Sequence, residues 1–195
     1  MQTLFFGGSF NPIHHGHLIC ARAVAEAIGY EQVVLIPTGQ SPHKPVTPEL
    51  APALDRLEMC RLAVTSDPIF EVNDIELKRL GASYTIDTVQ ELVRLTGTKP
   101  YWLIGADMLL YLPKWHRATE LVEQTNFVVM ARPGWNLDWQ TLPPEFRPLQ
   151  HSVVEAPMID IRATDLRQRV ASGRSIDYFT PPAVCAYIRD RGLYR

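Results

Sequence analysis

Short apolar runs alternate with helix-spaced segments along this chain of 195 residues, and that alternation limits its folding options more than any other feature. Thr3 to Phe6, Gln32 to Ile36, Ile69 to Val72, Tyr101 to Ile104, Phe127 to Met130 and Ser152 to Glu155 read as strands. Leu18 to Ile28, Leu54 to Leu62, Ile86 to Leu95, Ala163 to Val170 and Pro182 to Arg191 read as helices. Gly29 and Gly192 supply helix stops, and Thr85 or Asp87 is positioned to cap the third helix. Repeated strand–helix units predict an α/β fold: a doubly wound parallel sheet with helices on both faces. The length fits one domain over residues 1–195, with residues 160–195 as a small C-terminal helical part. In such sheets, ligands bind beyond the carboxyl ends of the strands.

Residues 7–17, Gly-Gly-Ser-Phe-Asn-Pro-Ile-His-His-Gly-His, give the most specific chemical signal. The first strand breaks at Gly7-Gly8, where backbone can pass close to a ligand without Cβ interference. His14 and His17, with Gly16 between them, then open a helical stretch. A strand, a glycine turn and a helix N-terminus form an anion site, because free N–H groups and the positive dipole end face one point. Two histidines add donors that can become cationic, so phosphate is the expected ligand. A plain glycine turn with surface histidines leaves the ordered pattern unexplained. The run is not a P-loop, whose Gly-x4-Gly-Lys-[Ser/Thr] spacing is absent. Nor does it have the three spaced glycines of the dinucleotide fingerprint.

Composition narrows the partners. A net charge of −2 gives no global attraction to nucleic acid or membrane, so anion binding must be local. Hydrophobic residues at 46% and charged residues at 21% describe an ordinary globular protein. Cys20, Cys60 and Cys185 are far apart and form no C-x-x-C pair, which argues against zinc and disulfide frameworks. No basic flank precedes the first apolar run, and no stretch approaches membrane-spanning length. A cytoplasmic location is therefore expected.

The 7–17 run resembles the G-x-F-x-P-x-H-x-G-H signature of the nucleotidyltransferase superfamily, which activates nucleoside triphosphates on a Rossmann-like sheet. Further elements share the likeness. Lys44 sits in the proline-braced stretch Ser41-Pro42-His43-Lys44-Pro45, where members carry a basic element that meets triphosphate; a solvated loop lysine is the alternative. Ile161-Arg162-Ala163-Thr164-Asp165-Leu166-Arg167 resembles a second motif, another helix N-terminus with a hydroxyl and, one turn on, a guanidinium. Arg162 stands where the family usually has serine. Gly105-x-Asp107 resembles the element whose carboxylate bonds ribose hydroxyls, and Asp107 also suits a helix cap.

The segments Ser83 to Thr88, Leu103 to Met108, Pro113 to His116, Ala131 to Gly134 and Tyr187 to Tyr194 are similar to the bacterial nicotinate mononucleotide adenylyltransferases. That resemblance implies adenylyl transfer from ATP to nicotinate mononucleotide in NAD biosynthesis, with pyrophosphate leaving. It implies catalytic roles at the phosphates for His14, His17, Lys44 and Arg167. ATP binding falls to Gly7, Gly8, Ser9, Phe10, Gly105, Asp107, Ile161, Arg162 and Thr164. The mononucleotide falls to Thr85, Ile86, Trp115, His116 and Arg132. An indole at Trp115 can stack on a cationic pyridinium ring, although a tryptophan is more often a core residue. Mg²⁺ is expected to travel with ATP, since no carboxylate cluster suggests a protein cage. Rival readings are the same transfer to nicotinamide mononucleotide, phosphopantetheine or a flavin mononucleotide, a metal hydrolase using His14, His15, His17 and His43, and a nucleotide sensor without catalysis. A homo-oligomer is left open.

Overall fold

The computed structural model describes residues 2–42 and 49–195. Six strands form one sheet: β1 (Thr3–Gly8), β2 (Gln32–Pro37), β3 (Phe70–Val72), β4 (Tyr101–Gly105), β5 (Asn126–Ala131) and β6 (Val153–Glu155). Every pairing is parallel and the order is β3-β2-β1-β4-β5-β6, so the chain reverses its winding between β1 and β4. The helices are α1 (His15–Ala27), α2 (Ala53–Val64), α3 (Thr85–Thr96), α4 (Ala106–Leu109), α5 (Ala118–Gln124), α6 (Ala163–Ala171) and α7 (Pro182–Asp190). The expected doubly wound α/β architecture is therefore the one observed.

Strand periodicity sorts the core into two layers. Leu4, Phe6, Val33, Leu35, Leu103 and Val128 face α1 and α2, together with Leu166, Val184 and Ile188 of the C-terminal helices. Val34, Ile36, Trp102, Ile104, Phe127 and Val129 face the opposite way, onto α3, α4 and α5. Gly7 is required by this packing, because a Cβ there would stand 2.5 Å from Cζ2 of Trp102. No helix among the described residues is long and apolar enough to cross a membrane.

Three local expectations need correction. Helix α1 begins at His15 rather than Leu18, because His17 Nδ1 accepts the His14 backbone N–H at 3.2 Å and closes an extra turn. Neither Thr85 nor Asp87 caps α3, whose N-cap is Tyr84; Thr85 is the first helical residue. Helices α4 and α5, and the 3₁₀ turns at Leu112–Lys114 and Trp139–Thr141, carry too few residues to show a period, and the 3₁₀ stretch Pro144–Ser152 is interrupted by Pro148.

Candidate active site

Two cavities open at the carboxyl ends of the strands, where the winding reverses. The first, of about 250 Å³, is lined by His14, Gly16, Asp107, Arg132, Trp135 and Ile161 among others. The second, of about 370 Å³, is walled by Gly7 to Phe10 on one side and by Thr85, Trp115 and His116 on another. His17, Gly105 and Met130 belong to both. These three residues form the wall where the two cavities meet.

The histidine pair is built by the start of α1. The rings of His14 and His17 stack with centroids 3.6 Å apart and planes 25° from parallel. Phe10 presses its edge on His17 at 5.2 Å and on Phe6 at 5.5 Å. Phe10 is buried with φ at 44°, a left-handed conformation that a bulky residue adopts only when its surroundings enforce it. Because His17 Nδ1 accepts a backbone N–H, it cannot carry the proton of the neutral ring, and Nε2–H is left as the donor. Burial, and secondarily the charge of His15, lowers the His14 pKa from 6.5 to about 4. Burial, then His14, holds His17 well below its ordinary value. Both rings are therefore neutral donors at pH 7, and neither repels the other.

That depression has a consequence for acid stability. Between pH 6.5 and about 4 the unfolded chain binds protons at His14 that the folded protein refuses. Folding stability contributed by the neutral ring is complete above pH 6.5, falls through this window and is gone below it. Urea unfolding at stepped pH should show this slope, and His14→Gln should flatten it; an unchanged slope would mean that the ring is not held neutral.

The other anticipated residues divide between the cavities. Gly7, Gly8, Ser9 and Phe10, expected with ATP, stand in the second cavity beside Thr85 and Trp115. Arg132, expected with the mononucleotide, stands in the first, across from Asp107. Ile86 is fully buried in the core, so only its backbone can serve a ligand. Trp115 is half-buried and His116 exposed, its ring 4.3 Å from that of Tyr84.

Arg162 turns outward, pairing with Asp160 at 3.4 Å, both exposed. Arg167 lines neither cavity; it donates to the Asn11 carbonyl at 3.0 Å and pairs with Glu49 at 3.4 Å. The hydroxyl of exposed Thr164 lies 3.5 Å from its guanidinium. Lys44 and His43 fall outside the described residues. His14, His15 and His17 do not converge on one point, because His15 faces a groove on the opposite side of α1, beside Arg22 and Asp67.

Some contributors were not anticipated. Asn11 ties four segments together: its side chain donates to Glu49 O at 2.9 Å and accepts from Ala51 N at 3.0 Å and from the Tyr194 hydroxyl at 2.7 Å. With Arg167 on its carbonyl, Asn11 joins α6 and the C-terminal tail to the turn before α1. Thr180 adds a bond to the Ile13 carbonyl at 2.7 Å. Arg56 of α2, 2% exposed, donates to three carbonyls. A usable signal existed for it: Arg56 precedes Met59 and Cys60 by three and four positions, which places it on the apolar stripe of α2.

A parallel sheet with a histidine-bearing turn at its reversal point, flanked by two ligand-sized cavities, has the form of a nucleotidyltransferase. The family model described as Cytidylyltransferase-like matches residues 5–169. A probable nicotinate-nucleotide adenylyltransferase of Roseiflexus sp. (strain RS-1) is 44% identical over 191 residues, covering 97% of this chain and 96% of its own. One from Dehalococcoides mccartyi (strain ATCC BAA-2266 / KCTC 15142 / 195) is 38% identical, covering 100% and 97%. The chain belongs to this family, among the nicotinate-nucleotide adenylyltransferases. Its fold matches the Plasmodium falciparum nicotinic acid mononucleotide adenylyltransferase complexed with NaAD, with a TM-score of 0.77, 16% identity and coverage of 100% and 98%.

Proposed function

We propose that this enzyme transfers the adenylyl group of ATP to nicotinate mononucleotide, giving nicotinate adenine dinucleotide and pyrophosphate in NAD biosynthesis. The observation that carries this reading is the pair of cavities meeting at His17. ATP occupies the first, with its ribose at Asp107 and its phosphates at His14 and His17; Arg132 and Ile161 border it, while Arg162 and Thr164 stand outside its wall. The acceptor occupies the second, with its ring on Trp115 and its phosphate directed to the shared wall.

A phosphate monoester with a second pKa of about 6 is largely dianionic at neutral pH and attacks without a base. Its oxygen bonds to the α-phosphorus of ATP while the bond to the bridging oxygen of the β-phosphate breaks and pyrophosphate departs. No group on the protein becomes covalently attached. The protein aligns the two substrates and stabilises negative charge with N–H donors. Lys44 serves the leaving phosphates in this scheme, and Arg167, held on the Asn11 carbonyl, braces the turn that carries the histidines. The carboxylates lining the cavities, Asp107 and Glu76, stand in different ones, so a Mg²⁺ ion brought in with ATP would be held by the triphosphate and would supply charge neutralisation there. The unpaired cysteines suit the reducing cytoplasm, where we place the reaction. We read residues 1–195 as one catalytic domain.

The start of α3 favours the acid over the amide. The N–H groups of Thr85 and Ile86 lie in the first turn, without intrahelical partners, at the positive end of a helix of 12 residues. A ring carboxylate gains from that field and a carboxamide does not. We expect nicotinate mononucleotide to be preferred over nicotinamide mononucleotide by about tenfold or more in kcat/KM, equivalent to roughly 1.4 kcal/mol. Pyrophosphate release with ATP and each acceptor in parallel tests both points. Equal rates would remove the acid preference, and release with neither acceptor would remove the assigned function.

A further inference from the structure

We infer that Arg56 is a positioning residue for the acceptor, because it holds together the two adjoining loops that follow β1 and β2 along the wall of the second cavity. Its Nη1 donates to the Ser9 carbonyl at 2.9 Å, its Nη2 to the Gly39 carbonyl at 2.9 Å, and its Nε to the Ala51 carbonyl at 3.1 Å. Ser9 belongs to the loop after β1, and Gly39 to the loop after β2. Both loops contribute to the cavity wall, one through Ser9 and Phe10 and the other through Thr38, Ser41 and Pro42, and Thr38 N–H donates to the Gly8 carbonyl at 2.9 Å where they begin. The two Nη atoms of a guanidinium are fixed in one plane, so the carbonyls they hold are kept at one separation.

The loop after β2 is seated on its other side as well. Gln40 N–H donates to Ser83 Oγ at 3.3 Å, and Ser83 N–H donates to the Gln40 carbonyl at 2.7 Å. Ser83 lies two residues before Thr85 and the start of α3. The chain of contacts therefore runs from Arg56 through Gly39 and Gln40 to the residues that meet the pyridine ring. Arg56 makes none of its hydrogen bonds to residues lining the first cavity alone, where His14, Asp107 and Arg132 lie. Its removal should consequently fall more heavily on the acceptor than on ATP.

This inference rests on the second cavity being the acceptor's. Two independent substitutions test it. Arg56→Lys keeps the charge but offers one ammonium that cannot span both carbonyls. Gly39→Ala leaves Arg56 intact and disturbs the far side of the clamp, because a Cβ at Gly39 would stand 2.8 Å from the Glu76 carbonyl oxygen and 2.9 Å from Ser83 Oγ. KM for each substrate is measured by pyrophosphate release, with a melting curve for each variant. Both variants should raise KM for nicotinate mononucleotide about tenfold, the scale of a displaced substrate contact, while KM for ATP stays within about twofold. Parallel rises in both KM values, or no rise in either, would overturn the clamp. Should Arg56→Lys fail to fold, the Gly39→Ala split decides by the same criteria. A wild type that releases no pyrophosphate with nicotinate mononucleotide overturns the assigned function and this inference with it; a wild type that turns over beside variants lacking the split overturns the clamp alone.

Discussion

Replacing His17 with alanine should lower kcat by roughly a hundredfold or more, the loss that follows removal of one preorganised donor to transition-state charge. His17 stands in the wall common to both cavities, its ring held by Phe10, by His14 and by the His14 N–H on Nδ1. Alanine removes the Nε2–H donor and also the helix-capping acceptor, which costs about 1 kcal/mol of stability. A melting curve separates that modest loss from the loss of turnover. His15→Ala is the internal control, since His15 faces the opposite groove and contributes to the turn through its backbone bond to Phe179 O at 2.9 Å. If both variants lost turnover to the same extent, the phosphates would not lie at His17.

The second large effect concerns Trp115. Its backbone ends the 3₁₀ turn Leu112–Lys114 with an N–H bond to the Leu112 carbonyl at 3.0 Å, so alanine leaves the turn intact. The half-buried indole faces the cavity together with Thr85 and His116. Stacking a base on an aromatic side chain contributes about 1–3 kcal/mol by alanine substitution, and a cationic pyridinium ring falls in the same range. Trp115→Ala should therefore raise KM for nicotinate mononucleotide about tenfold or more and change KM for ATP little. An unchanged acceptor KM, with a lowered melting temperature, would make Trp115 a packing residue.

The sheet was legible in the sequence because each strand is a short apolar run closed by glycine, proline or a polar turn, as in Gln32 to Ile36 before Pro37. The histidine turn was legible because it places rare residue types in a fixed order over a short span. What escaped was long-range. Which cavity Ser9 or Arg132 faces depends on how distant segments converge at the strand ends, and periodicity carries no such information. The outward turn of Arg162 depends on Asp160, an exposed partner that sequence spacing does not single out. Arg56 was overlooked because a charged residue on an apolar stripe reads as an exposed edge until its carbonyl partners are known. Helix propensity did not reveal that α1 starts at His15, since two histidine side chains, and not a serine or aspartate, organise its first turn.

The tie between Asn11 and Tyr194 spans 183 positions, so the order of synthesis bears on when the site can exist. A ribosome delivers the histidine turn well before the guanidinium and the hydroxyl that seat it, which belong to Arg167 and Tyr194. Contacts of such separation form only after the intervening chain has been made and collapsed. The nascent chain can thus assemble β1, α1 and β2 while its phosphate cradle is still unbraced. Full bracing of the histidine turn therefore follows the collapse of the core that lies between its partners in sequence.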